Sequence, residues 1–266
     1  YLGWNKQTSN VPGSTILFPI VDCTRQYINA LLTVLAEPDG ERPVFVDDWQ
    51  CFEPSDLAEG LVWLGSQFGF PRRIPYQPIG GIKWVRNGFC NRDISAPLGL
   101  QRALRTDYES FFLLQNLMLL AQAMGLGGWI HSSVFPPWVL QRDEAKGWHG
   151  LGFRFEDTHK EWGARWPPLP STQPNPVGID GVLEGLCPPY VKSMNQAVDI
   201  FIEEKYGPQG MYGDVATFAA PYKDPKNAEE YLRHQVPFSK LAIEYCKEVC
   251  TYMWDKYGGF PPHVVA

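Results

Sequence analysis

Three groups of residues have the types and spacing that chemistry requires. Cys246 and Cys250 lie four apart, on one face of any helix that carries them, where two thiols could hold a soft metal or exchange a disulfide. No His follows them at ligand spacing, so the same pair also reads as buried core thiols. His149, Asp157 and His159 offer a possible metal set if an irregular segment gathers them. Asp47 and Asp48, with Glu53 and Asp56 close by, form the most acidic spot of the chain. Paired carboxylates serve as acid and base when their surroundings push their pKa values apart, although Asp56 also suits the start of a helix. A nucleophile elbow, a Walker loop and a G-x-G-x-x-G turn do not occur.

The elements that would position such groups centre on residues 106–134. Thr106 and Glu109 have capping-box spacing, which predicts a helix start there. From Phe111 to Met124 only Gln115, Asn116 and Gln122 interrupt an apolar run, so no solvent-facing stripe is expected and the helix is predicted to lie buried at the centre of the fold. Gly125 stands where a left-handed cap belongs, and Gly127 and Gly128 leave bare backbone that a flat ligand or another chain can approach. A strand is predicted over 128–134.

Elsewhere, 15–21 reads as a strand running into a helix over 24–36, with Leu31, Leu32 and Leu35 on one side. A strand is expected over 43–49, and Ser55 caps a helix that ends at Gly69. Residues 81–89 alternate like a strand. The 135–190 segment, dense in Pro, Gly and Trp, is expected to pack as a lid or wrapping arm in which Pro176 and its neighbours exclude continuous helix or interior strand. Ser193 and Gln196 open a helix to about Tyr206, and a last helix over 238–257 carries Leu241, Tyr245, Val249 and Tyr252 on one face. Helices and strands mix without βαβ alternation, so the expected class is α+β in one domain over 1–266.

Composition narrows the function classes. With 266 residues, 44% of them hydrophobic and ten Trp, the chain can build a large core. A net charge of −6 without basic runs argues against a nucleic-acid surface. The longest apolar run is too short and too interrupted to cross a bilayer, so no membrane partner is expected. The first residues show no basic-then-apolar leader pattern. Six scattered cysteines without a CxxC pair fit reduced thiols and a cytoplasmic location. Trp129, Trp138, Trp148, Trp162 and Trp166 would suit an aromatic-walled pocket as well as an ordinary core.

Gln115-Asn116-Leu117, Ala121, Ala123, Gly125-Leu126-Gly127 and Trp129-Ile130 together resemble the central-helix segment of the nitroreductase family. The resemblance spans about thirty residues and is moderately specific. It implies an α+β sandwich in an intertwined homodimer, with the central helix packed on its twin and FMN at the interface. It also implies an oxidoreductase that takes hydride from NAD(P)H and passes it to a small aromatic or conjugated substrate, with the flavin ring doing the chemistry. On that reading Gly125, Gly127, Gly128 and Trp129 border the cofactor and the amides of Ser132 and Ser133 face flavin N5. His131 beside them is a candidate proton donor, although it reads first as a strand histidine bonded to backbone.

A flavin phosphate needs cations. The family's N-terminal Arg-Ser-x-Arg motif is absent here, and Thr8-Ser9-Asn10 and Pro12-Gly13-Ser14 match its polar loop only loosely. Arg25, Arg72, Arg73, Lys83, Arg86, Arg102 and Arg105 are the available cations, of which Arg102 and Arg105 are taken as the phosphate candidates. Two alternatives stay open: a flavin-free binding or assembly protein of the same fold, and a metal-dependent hydrolase built on His149 or His159.

Overall fold

The computed structural model describes residues 13–36, 44–47, 64, 68, 81–130, 139–156, 175–234 and 238–257. Its frame starts at Asp22, whose Oδ1 accepts from the Thr24 and Arg25 amides and so caps α1 (Cys23–Val34). The other carboxylate oxygen, Oδ2, accepts from the Leu186 amide at 3.2 Å, which ties the start of α1 to a loop far along the chain. Tyr27, Ile28, Leu31, Leu32 and Leu35 of this segment are buried, as the apolar spacing predicts. The predicted strand before it is not formed. Residues 14–22 pair with no ladder among the described residues, and Ile16, Leu17 and Ile20 are exposed.

β1 (Val44–Asp47) runs parallel to β2 (Asn91–Pro97), within the strand expected over 43–49. Between them the chain corrects the sequence reading, because Gly81–Arg86 forms a short helix, α2, and not a strand. Burial of one tryptophan accounts for this. Trp84 is 2% exposed, stacks on Tyr245 at 5.2 Å between centroids, and donates through Nε1 to Glu248 Oε2 at 2.8 Å. The helix then stops at Gly88, whose φ of +83° suits a residue without Cβ, and Phe89 turns back edge-on to Trp84. The helix expected from Ser55 lies outside the described residues, save for Leu64 and Phe68, both exposed.

α3 (Leu98–Ala123) begins directly after β2, two turns earlier than the Thr106 cap predicts. Glu109, expected to close that cap, instead accepts both bonds of Gln26 Nε2 at 2.9 Å, on the neighbouring α1. A second correction is larger: α3 is not buried. It packs against α1, and Leu114, Leu117, Met118 and Ala121 are half-buried. Tyr108, Phe111, Phe112, Leu113, Leu119, Leu120 and Met124 all lie exposed.

Of the 135–190 segment, two hairpins are described. β3 (Arg142–Asp143) pairs antiparallel with β4 (Trp148–His149), across a single 3-10 turn at Glu144–Lys146. β5 (Arg154–Glu156), β6 (Asn175–Ile179) and β7 (Leu183–Glu184) form a three-stranded antiparallel sheet. Pro176 therefore sits inside the middle strand, against expectation. It pairs only with Phe155 of β5, while β7 begins its pairing at Gly178, so the proline occupies a stretch that is locally an edge.

α4 (Met194–Tyr206) starts at the Ser193 cap as predicted, its Oγ accepting from the Gln196 amide at 3.3 Å. The Gln196 side chain reaches back one residue further than a standard box, to the Lys192 amide at 2.8 Å. Two short helices follow, α5 (Val215–Ala219) and α6 (Pro225–His234), before α7 (Lys240–Tyr257). On α7 the buried face is Ala242, Tyr245, Cys246, Val249, Cys250 and Trp254, whereas Leu241, expected to face inward, is 45% exposed. The core is thus the meeting of α1, α4 and α7, closed by Trp84 and Phe89 on one side and by Val177, Leu186 and Cys187 on another. The mixture of helices and small sheets is of the α+β kind. No helix among the described residues is long and apolar enough to cross a membrane.

Candidate functional site

The glycine turn at the end of α3 is built as a Schellman motif. The Leu126 amide donates to the Ala121 carbonyl at 2.8 Å and the Gly125 amide to Gln122 at 3.0 Å, with Gly125 at φ +72°. The chain then doubles back along the helix. A Cβ built on Gly128 would stand 3.3 Å from Met118 Sδ, so this glycine lies close against the half-buried side of α3. Gly127 differs, because nothing lies within 4 Å of its Cβ position. The result is an open stretch of bare backbone bordered by exposed Met124, Leu126, Trp129 and Ile130. A planar, largely apolar ring can lie against such a surface. Residues 126–130 form no strand, in contrast to the reading over 128–134, and His131, Ser132 and Ser133 lie outside the described residues.

The negative end of a helix is a poor seat for phosphate unless cations are brought to it. Arg102 and Arg105 stand on the same α3 as the turn, but toward its other end. At 1.5 Å per residue, Arg105 and Gly125 are separated by about 30 Å along the axis. Within one chain these two parts of the predicted site are not brought together. Other candidate cations are committed elsewhere: Arg25 pairs with Asp22 and Glu204, and Lys83 pairs with Glu248 at 2.5 Å while lying over the Trp84 ring. Arg86 is exposed on α2, and Arg72 and Arg73 lie outside the described residues.

The competing chemistries are placed as follows. Cys246 and Cys250 approach to 4.0 Å between sulfurs inside the core, and burial holds the Cys250 thiol well above its ordinary pKa. A metal needs thiolates, and this site favours thiols. His149 is exposed on β4 opposite Arg142, and Asp157 and His159 lie outside the described residues. Among the described residues no three metal-ligating side chains are gathered. Of the acidic spot, Asp47 ends β1, and its companions are not described. Trp138, Trp162 and Trp166 are likewise outside, while Trp148 lies under Lys146, whose Nζ is 4.6 Å from the ring centroid.

What sequence reasoning placed inside the fold, and the structure leaves exposed, is the outer face of α3. Its signal was present as a spacing: the exposed Phe112, Asn116, Leu119 and Ala123 alternate by four and three, the step of a helix-pairing seam. Compared with known protein families, with curated proteins and with solved structures, the chain matches none.

Proposed function

We propose that the chain is an FMN-dependent oxidoreductase of nitroreductase-like kind, an α+β sandwich that works as a homodimer through α3 and passes hydride from NAD(P)H to a small aromatic or conjugated substrate. One observation carries this reading: an apolar helix, exposed along its outer face, ends in a glycine turn with open space beside Gly127. The apolar face calls for a partner, and the turn offers a flat ligand a surface without side chains. When bound, the isoalloxazine ring supplies the hydride chemistry. The chain's part is to orient it: Gly127 admits the ring, Leu126, Trp129 and Ile130 keep water from its edges, and the segment carrying His131, Ser132 and Ser133 follows at once in sequence.

The visible spectrum of the purified chain, followed by titration with FMN and sedimentation velocity, tests this. Expected are flavin bands near one cofactor per chain and a dimer. Gly127→Trp should lower flavin occupancy at least about tenfold while the circular dichroism is unchanged, since a bulky side chain would fill the space a ring needs. A colourless dimer that takes up no added FMN would overturn the oxidoreductase reading and assign the same exposed face to a flavin-free binding or assembly protein.

A further inference from the structure

We infer that the β3–β4 hairpin carries a seat for a phosphate monoester, with the Arg142 guanidinium and a His149 ring N–H as its donors. The strand register sets the two side by side. Arg142 stands directly opposite His149, and the Gly150 amide donates to the Gln141 carbonyl at 2.9 Å, which makes 141 and 150 the hydrogen-bonded pair. The next pair, 142 and 149, is then the non-hydrogen-bonded one, in which facing Cα atoms approach to about 4.5 Å and side chains lie closest. Both residues are exposed, on the face of the hairpin opposite Asp143 and Trp148.

The two faces differ in how their charges are met. On one, Lys146 Nζ pairs with Asp143 Oδ2 at 3.0 Å and lies 4.6 Å from the centre of the Trp148 ring. On the other, neither the Arg142 nor the His149 side chain has an ion-pair or hydrogen-bond partner among the described residues, and the neighbouring Glu144 bonds to neither. Backbone bonds fix the frame that presents them. Asp143 Oδ1 caps the 3-10 turn, Gly147 closes it at φ +67°, and the amides of Leu151, Gly152 and Phe153 fasten the outgoing chain to the carbonyls of Val139 and Leu140. A Cβ on Gly150 would stand 2.4 Å from the carbonyl oxygens of both Val139 and Gln141, so the two segments close to a distance that only glycine permits.

Donor geometry chooses the ligand. The guanidinium presents a planar fork that two oxygens of an oxyanion fill. A carboxylate has only those two oxygens, whereas a phosphate monoester keeps a third terminal oxygen, and a ring N–H from the facing strand is placed to donate to it. A phosphodiester has two terminal oxygens, which together with the net charge of −6 argues against a nucleic-acid ligand. The seat stands on this hairpin alone. Joined to the proposed function, and resting on it for this step, the seat holds a phosphate that the reaction brings: FMN carries one phosphate monoester and NADPH another, whereas riboflavin and NADH carry none.

Calorimetric titration of the full chain with phenyl phosphate and with benzoate tests the seat without flavin or nucleotide. Phenyl phosphate should bind at least about tenfold tighter than benzoate. Arg142→Ala and His149→Ala should each weaken it about tenfold, and Arg142→Lys, which keeps the charge and loses the fork, by several-fold. Lys223→Ala, at an exposed cation elsewhere, should leave it unchanged, and circular dichroism checks that each variant is folded. Equal binding of the two probes, or losses no greater than that of Lys223→Ala, would overturn the inference. Affinity ratios in the wild type and in Arg142→Ala then identify the source of the phosphate. A fall in the preference for FMN over riboflavin assigns the seat to the flavin, and a fall in the preference for NADPH over NADH assigns it to the hydride donor. With both ratios unmoved, the seat serves a third phosphate ester, apart from the flavin site. Phenyl phosphate held at Arg142 by a chain that takes up neither FMN nor NADPH would keep the seat and discard the oxidoreductase reading.

Discussion

A buried thiol records the polarity of the core it sits in. Cys90 is 1% exposed beside Trp84 and Phe89, and burial pushes its pKa up to about 12. Cys250, buried beside Cys246, is raised by the same cause. In the unfolded chain such thiols ionise near about pH 8.5. From there up to about pH 12 the folded chain keeps protons that the unfolded chain has lost, so stability falls as pH rises across that window. Urea midpoints measured from about pH 8 to about pH 11 should therefore decline, and Cys90→Ala should make the decline shallower. An unchanged slope would mean that the thiol is not held away from water. The burial of these cysteines was legible from residue type alone, since free Cys is among the most buried residues and no CxxC pattern competes with that reading. The roles of Trp84 and Glu248 were not legible. They lie far apart in sequence, and nothing near either one announces that Trp84 Nε1 will donate to the Glu248 carboxylate.

Elements were readable where one local pattern dominated. α1 follows its apolar spacing, α4 follows its Ser193 cap, and the stop of α3 follows from Gly125. Misreadings arose where tertiary contacts outweighed a short pattern: residues 81–86 alternate like a strand, yet form a helix because Trp84 must lie flat on Tyr245. The same holds at the start of α3, where Glu109 is drawn to Gln26 of α1 instead of its own cap. The turn itself gives a clean prediction. Gly125→Ala forces a side chain into a left-handed conformation at φ +72° and should cost about 1 kcal/mol of stability, read as a lower urea midpoint with an unchanged slope. Gly127→Ala, with open space and no positive φ, should cost less than half of that.

For the whole molecule, the glycine turn was legible from the residues themselves, whereas an assembly through this helix came only from the family resemblance. Apolar residues at 111–124 were read as core because single-sequence patterning cannot tell a surface covered by the same chain from one covered by another. In the proposed dimer the exposed face of α3 would make folding and association one equilibrium. The melting temperature should therefore rise with protein concentration, and Phe112→Glu, placing a charge in the middle of the seam, should abolish that rise and yield a monomer by sedimentation. A melting temperature independent of concentration in the wild type would contradict this.

The core also has a history. Its first wall is α1, and the wall that closes it is α7, the last helix described, with Ala242, Tyr245, Cys246 and Val249 set among Tyr27, Ile28, Leu31 and Leu32. On a ribosome moving at ~5–20 residues per second, α1 emerges roughly 10–40 s before α7 exists. Throughout that interval its apolar face lacks the cover that α7 gives it, and until α4 emerges it lacks Met194, Ala197 and Val198 as well. Synthesis order thus makes the newborn N-terminal helix a client for whatever shields hydrophobic surface in the cell, and the final helix its release.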